Sequence, residues 1–249
     1  MKKAGFGFYA ALTLLLMAWG YYQAIYVAPT DAMQGEIFRI IFYHVPLFNC
    51  AFTIFTVSFA GSVGFLAFRH SHPERAQIAD AWALAGAEVG VVCCTNALIL
   101  GSMWGRRAWG IWWTWDARLT STFVLWLLYV SYLLMRGLLE DPEKKATLSA
   151  VFGIFASLDM PLVYVSNRLW RTQHPQPVIL GGSGSGLDPT MGKVLVLGMI
   201  SVCSVMVLAL IDRYRLELLR QECDELRFEI ESRSTQAQDF LVSAKPKVG

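Results

Sequence analysis

Residues 45–68 read VPLFNCAFTIFTVSFAGSVGFLAF, a run without one charged side chain. At about 1.5 Å of rise per residue this run makes a helix of roughly 36 Å. The hydrocarbon core of a bilayer is ~30 Å, so the run is long enough to cross it. Comparable apolar blocks occupy 5–27, 79–102, 120–135, 146–165 and 191–211. The fourth is short and draws on the tryptophan-rich stretch before it. Across the 249 residues, 55% are hydrophobic and 16% charged, against about 25% charged in a soluble domain. The pattern predicts an all-α integral membrane protein, a bundle of six transmembrane helices packed against lipid. The block 5–27 is too long for a signal-peptide core, and no small-x-small site closes it, so it reads as a retained first span. A net charge of +2 with no dense basic tract gives no reason to expect a nucleic-acid partner.

The joints between blocks set the orientation. With the N-terminus inside, the inner segments hold Lys2, Lys3, Arg69, Arg75, Arg136, Lys144, Lys145, Arg213 and Arg215. The outer ones hold Arg39, Arg106, Arg107, Arg118, Arg168, Arg171 and Lys193. The bias favours both termini inside. The outer positive charge is nearly all arginine and lies beside aromatics, which suits bidentate binding of a carboxylate.

The outer joint 104–120 reads WGRRAWGIWWTWDARLT and carries five of the nine tryptophans. Trp109, Trp112 and Trp113 are spaced i, i+3, i+4, which places them on one face of a helical turn. One reading is an interfacial aromatic belt. Five tryptophans packed with three arginines and an aspartate exceed what a belt needs. They form a flat aromatic shelf edged by guanidinium groups, suited to a large flat apolar ligand with carboxylate edges, such as heme. His44, at the start of the second span, and His174, just beyond the fifth, lie on the same face as the shelf. Neutral imidazoles are common axial ligands of heme iron. His70 and His72 lie at the inner side and read as solvated joint residues.

Other features carry less. Cys50, Cys93, Cys94, Cys203 and Cys223 form no CxxC motif and read as inert thiols, four of them within apolar blocks. The run 181–186 (GGSGSG) lacks the Lys-Ser/Thr of a phosphate loop and reads as a flexible outer loop. Glu88 and Asp159 lie within spans, where carboxylates either pack against partners or serve a proton path. Beyond 211 the chain is charged. Leu216, Leu219, Cys223, Leu226 and Ile230 follow a 3-4-3-4 spacing, a helical stripe that docks on a partner or stays solvated.

The segment Trp104-Gly105-x-x-x-Trp109-Gly110-x-Trp112-Trp113-x-Trp115-Asp116-Ala117-Arg118-Leu119-Thr120 resembles the WWD signature of heme-handling proteins. The closest likeness is to the heme exporter protein C (CcmC) family of cytochrome c maturation. Arg39 with His44-Val45-Pro46 is similar to that family's first histidine segment. Pro161, Ser166, Trp170, Thr172 and His174 are similar to its second, with Asp188-Pro189-x-Met191 before the last span. The resemblance implies a six-span heme-handling domain over 1–211, an outer WWD segment at 104–120 and a charged cytoplasmic tail at 212–249 containing a short helix. It implies that His44 and His174 are axial ligands of the iron of heme b, the transported ligand. Trp104, Trp109, Trp112, Trp113, Trp115, Asp116 and Arg118 would form the platform. The fork chemistry of arginine makes Arg39 or Arg118 the candidate clamp for a propionate. It further implies a bacterial inner membrane, a periplasmic heme chaperone as acceptor, and ABC transporter subunits with a small single-span subunit as partners. Pro175-Gln176-Pro177 stands where a turn containing glycine and serine is expected, and the tail is longer than expected.

Three functions compete. Heme binding and transfer, without catalysis, comes first. A cytochrome c heme lyase would be larger and carry more histidines. An electron-transfer cytochrome would pair its histidines deep within the spans, whereas both candidates here sit at the outer rim.

Overall fold

The computed structural model describes residues 3–175 and 187–243. Six helical segments are long and apolar enough to cross a membrane: Gly5–Val27, Glu36–Phe68, Pro73–Ala108, Ala117–Leu138, Pro142–Leu169 and Pro189–Gln236. Among the described residues there is no strand, only an isolated bridge between Asp31 and Gly35. Large apolar side chains such as Phe8, Leu14, Leu134 and Phe155 face outward, a surface that needs lipid. The chain is an all-α, multi-pass membrane protein.

Helix α1 (Lys3–Tyr22) ends in a π turn, Gln23–Val27. A short outer link follows, in which the Asp31 carboxylate accepts from the backbone N–H groups of Met33 and Gln34. A 3₁₀ turn, Glu36–Ile40, leads into α2 (Ile41–Phe68). Pro46 lies inside α2 and leaves the Phe42 carbonyl without its helical donor. Here α7 (Pro189–Ser243) packs closely: a Cβ on Gly198 would sit 2.6 Å from that carbonyl oxygen.

The tightest pairing joins α2 to α3 (Pro73–Ala108). A Cβ on Gly61 would lie 2.6 Å from the Ala79 oxygen, and one on Gly86 would lie 2.8 Å from the Ser58 nitrogen. Lipid tails are as apolar as leucine, so helix association in a membrane depends on such close approach and on hydrogen bonds across it. Ser58 supplies one, its hydroxyl donating to the Ala83 carbonyl at 2.8 Å. Phe55 stacks on Tyr129 of α4 (Ala117–Leu138) at 3.8 Å between ring centroids.

Helix α3 spans 36 residues, about 54 Å. It therefore carries Trp104, Arg106 and Arg107 of the outer joint on its own last turns. The fourth block, short in the sequence, gains length at both ends as α4. The fifth span is broken into α5 (Pro142–Ser157) and α6 (Asp159–Leu169), two residues before Pro161, whose ring forbids an unbroken helical ladder.

At the inner end, Arg136 is not a solvated joint residue. It is buried and donates to both Asp80 oxygens, at 2.7 and 2.5 Å, with Glu217 at 3.8 Å. Glu88 is paired with Arg213, so this intramembrane carboxylate has a packing partner. Helix α7 (Pro189–Ser243) runs through position 211 without a break. The run 181–186 and the residues after 243 lie outside the described residues.

Candidate functional site

His44 is in the first turn of α2, and its Nδ1–H donates to the Ala97 carbonyl of α3 at 2.9 Å. His174 lies in the segment after α6, and its Nδ1–H donates to the Pro175 carbonyl, also at 2.9 Å. A carbonyl only accepts, so both rings are held as the tautomer whose Nε2 lone pair is free, the form a metal-binding imidazole takes. The ring centroids are 6.4 Å apart, with the planes inclined at 39°. Two segments 130 residues apart in sequence thus bring their imidazoles together at the end of the bundle that carries the tryptophan joint.

Gly101 makes room for this arrangement. A Cβ there would fall 3.0 Å from His44 Cε1, so a larger residue at 101 would displace the ring. Sequence reading missed Gly101, although a glycine inside a helix carries an entropic cost that asks for a reason.

Asp116 ties the two outer joints together. Its carboxylate caps α4, accepting from the N–H groups of Arg118 and Leu119, both at 3.0 Å. The other oxygen accepts from the Thr114 hydroxyl at 3.1 Å and from the Gln173 N–H at 3.3 Å, next to His174. Partial burial works to raise its pKa, but the Leu119 N–H, the Thr172 and Thr114 hydroxyls and the Gln173 N–H outweigh it and hold the carboxyl below its usual range. Asp116 therefore stays ionised and fixes the WWD segment to the His174 segment.

Arg118 is buried at the start of α4. Its guanidinium lies 5.0 Å from the Phe48 ring centroid and donates to the Val163 carbonyl at 3.3 Å. Burial first, and the Arg118 charge second, push the His174 pKa down to about 4. The unfolded imidazole takes up a proton near 6.5, so folding favours the neutral ring. The stability tied to that neutral ring is complete above 6.5 and is lost as pH falls toward 4. The His174 imidazole in detergent-solubilised protein is expected to titrate near pH 4 by NMR; a midpoint at its ordinary value would contradict this environment.

The tryptophans do not share a helical face. Helix α3 ends at Ala108 because Gly110 takes φ 80°, outside the right-handed helical region. Trp109 folds back over Gly105, where a Cβ would meet its ring at 3.2 Å. Trp104 meets Trp109 edge-on at 5.0 Å, and its Nε1–H donates to Gln34. These two rings line an outer cleft of 770 Å³ that reaches Met33, Arg107 and Pro175, beside His174. Trp112, Trp113 and Trp115 turn the other way, over an apolar groove of 710 Å³ with Leu98, Met103, Phe123 and Trp126. Trp112 is 61% and Trp115 74% exposed. The buried Trp113 Nε1–H and Thr120 hydroxyl have no partner among the described residues. Two donors and acceptors of this kind are costly unless something answers them.

Arg39 stands apart. Its guanidinium donates to the Ala24 and Ala28 carbonyls at 2.7 and 2.8 Å and pairs with Glu36, fastening the end of the first span to the second. His70 and His72 are exposed at the opposite end of the bundle.

The model of the family described as heme exporter protein C matches residues 2–229. The chain belongs to that family. A heme exporter protein C from Bradyrhizobium diazoefficiens is 33% identical over 218 residues, covering 88% of this chain and 80% of that protein. One from Haemophilus influenzae is 28% identical over 86% of this chain and 85% of its own length. The Escherichia coli K12 protein of the same name is 29% identical over 75% of this chain and 72% of its own. Membership makes this six-span bundle a heme-handling protein, and heme is the cargo against which the outer site is to be judged.

Proposed function

We propose that the chain binds heme b at the periplasmic face of the bacterial inner membrane, with His44 and His174 as axial ligands, and passes it to a periplasmic heme chaperone during cytochrome c maturation. One observation carries the reading: two imidazoles lie with centroids 6.4 Å apart and both Nδ1–H groups already engaged. An imidazole–iron–imidazole sandwich with metal–nitrogen bonds of about 2 Å places its ring centroids roughly 6 Å apart. The observed 6.4 Å is close to that separation, which supports the two residues as a ligand pair.

The remaining residues take roles by position. Trp104 and Trp109 form one apolar wall. Trp112, Trp113 and Trp115 wall the neighbouring apolar groove, and the orphaned Trp113 N–H is a donor for a ligand carboxylate reaching into it. The Arg118 charge favours an anionic ligand and disfavours protonation of His174. Asp116 holds the two joints in register. Arg39 meets a propionate only by exchanging Glu36 for it. Because the ligands come from two joints, movement of the His174 segment frees one coordination position, which suits release without bond-making catalysis. Charge bias places both termini in the cytoplasm. ABC transporter subunits and a small single-span subunit are the partners that complete the maturation complex.

The test is a transfer assay. Heme-loaded protein in liposomes is mixed with soluble apo-chaperone, and the chaperone is separated and its absorption measured. Heme is expected to move to the chaperone from wild type. Heme that stays with the membrane fraction, or that moves equally to serum albumin and to the chaperone, contradicts a dedicated transfer.

A further inference from the structure

Within the membrane, α1 covers one face of α7. The Ser201 hydroxyl donates to the Leu16 carbonyl at 3.0 Å, and the Tyr9 hydroxyl donates to the Ser204 carbonyl at 3.1 Å. The opposite face of α7 is fixed to the bundle: Tyr214 stacks on Trp82 at 4.2 Å, and Glu217 is buried near Arg136. Helix α1 reaches its inner end near Arg215, whose guanidinium lies 5.2 Å from the Phe6 ring. Beyond that point the covered face of α7 runs on with nothing described against it. Leu219 lies about five helical turns after Ser201 and so has the same azimuth. The continuing face carries Leu216, Leu219, Cys223, Leu226 and Ile230 at 3-4-3-4 spacing. The leucines and Ile230 are roughly half to two-thirds exposed, and Cys223 is exposed.

We propose that this stripe is the seam of a parallel two-stranded coiled coil with a second copy of the same chain. The seam positions are bordered by Arg220 and Arg227 on one edge and by Glu222 and Glu229 on the other. In a parallel pair Glu222 of each helix lies opposite Arg227 of the second copy, and Glu229 lies opposite the uncharged Ser234. An antiparallel pair would set arginine against arginine and glutamate against glutamate. Two copies in one membrane have the same orientation across it, so the parallel arrangement is the one open to them. Arg215, which would otherwise face Arg220 of the second copy, is turned onto Phe6. Two heptads are marginal as free peptides. Tethering to a rigid, membrane-confined helix raises the effective concentration and offsets that.

Cys223 at a central seam position makes the test direct. Cys50, Cys93 and Cys94 are buried and Cys203 is partly so. Membranes containing the full-length chain are treated with copper–phenanthroline and oxygen, which takes the electrons and protons of two thiols to leave a disulfide. A disulfide-linked homodimer is expected on a non-reducing gel and should vanish in Cys223→Ser. Glu222→Lys and Arg227→Glu should each lower the cross-linked fraction about tenfold, and the double variant should restore it. Maleimide labelling confirms that Cys223 is reactive in every variant. Reactive Cys223 without a homodimer, a cross-link to a different protein, or failure of the double variant to recover would each overturn the proposal.

Discussion

His44→Ala and His174→Ala are each expected to lower the heme that co-purifies with the protein by about a hundredfold or more, as loss of a direct ligand outweighs the 10–100-fold typical of losing an outer-shell partner. The fold should survive either change. His44 contributes one hydrogen bond to Ala97, of net worth about 1 kcal/mol, and His174 lies in a joint outside the helices. Trp113→Ala provides the contrast. It removes part of an aromatic wall, worth about 0.5–1.5 kcal/mol beyond its area, so heme content should fall about tenfold while the residual heme keeps a histidine-type spectrum. Heme content is read by pyridine hemochrome assay against protein concentration. If Trp113→Ala loses more heme than either histidine variant, the tryptophans rather than the histidines dominate binding.

The second large effect lies at the other end of the bundle. Asp80→Ala leaves the Arg136 guanidinium buried, with only Glu217 at 3.8 Å nearby. Removing one partner of a buried pair costs about 3–5 kcal/mol, whereas replacing both by apolar residues is close to neutral. Asp80→Ala should therefore unfold markedly more readily in a detergent-denaturation series. The triple variant Asp80→Ala/Arg136→Met/Glu217→Gln, which also removes the buried carboxylate that Arg136 faces, should recover most of the loss. A single variant as stable as wild type would show that the guanidinium escapes to water or lipid headgroups.

These two predictions differ in how far the sequence announces them. The spans were legible because 24 uncharged, mostly apolar residues in a row admit few structures, and the closeness of His44 to His174 because both fall at span edges beside the tryptophan joint. The Asp80–Arg136 pair was not legible. Each residue sits near an inner joint, and periodicity says nothing of which charges on α3 and α4 meet. The tryptophan geometry was misread for a local reason. Spacing i, i+3, i+4 denotes one face only while the helix continues, and Gly110 at φ 80° ends that condition. Asp116 was visible as part of the signature, but its work as cap and tether depends on Gln173, which arrives from 57 residues away. Arg39 shows what sequence leaves out: an outer arginine beside aromatics suggested a carboxylate partner, and in the structure it is engaged by the Glu36 carboxylate and by the backbone carbonyls of Ala24 and Ala28.

The most direct test of the central claim is the absorption and electron paramagnetic resonance spectrum of purified, heme-loaded protein, recorded for wild type and for His44→Ala and His174→Ala with and without imidazole. The account predicts a low-spin, two-histidine spectrum for wild type, a high-spin spectrum for each single variant, and return to low spin when added imidazole fills the vacated axial position. Wild-type spectra from both single variants without imidazole would contradict it.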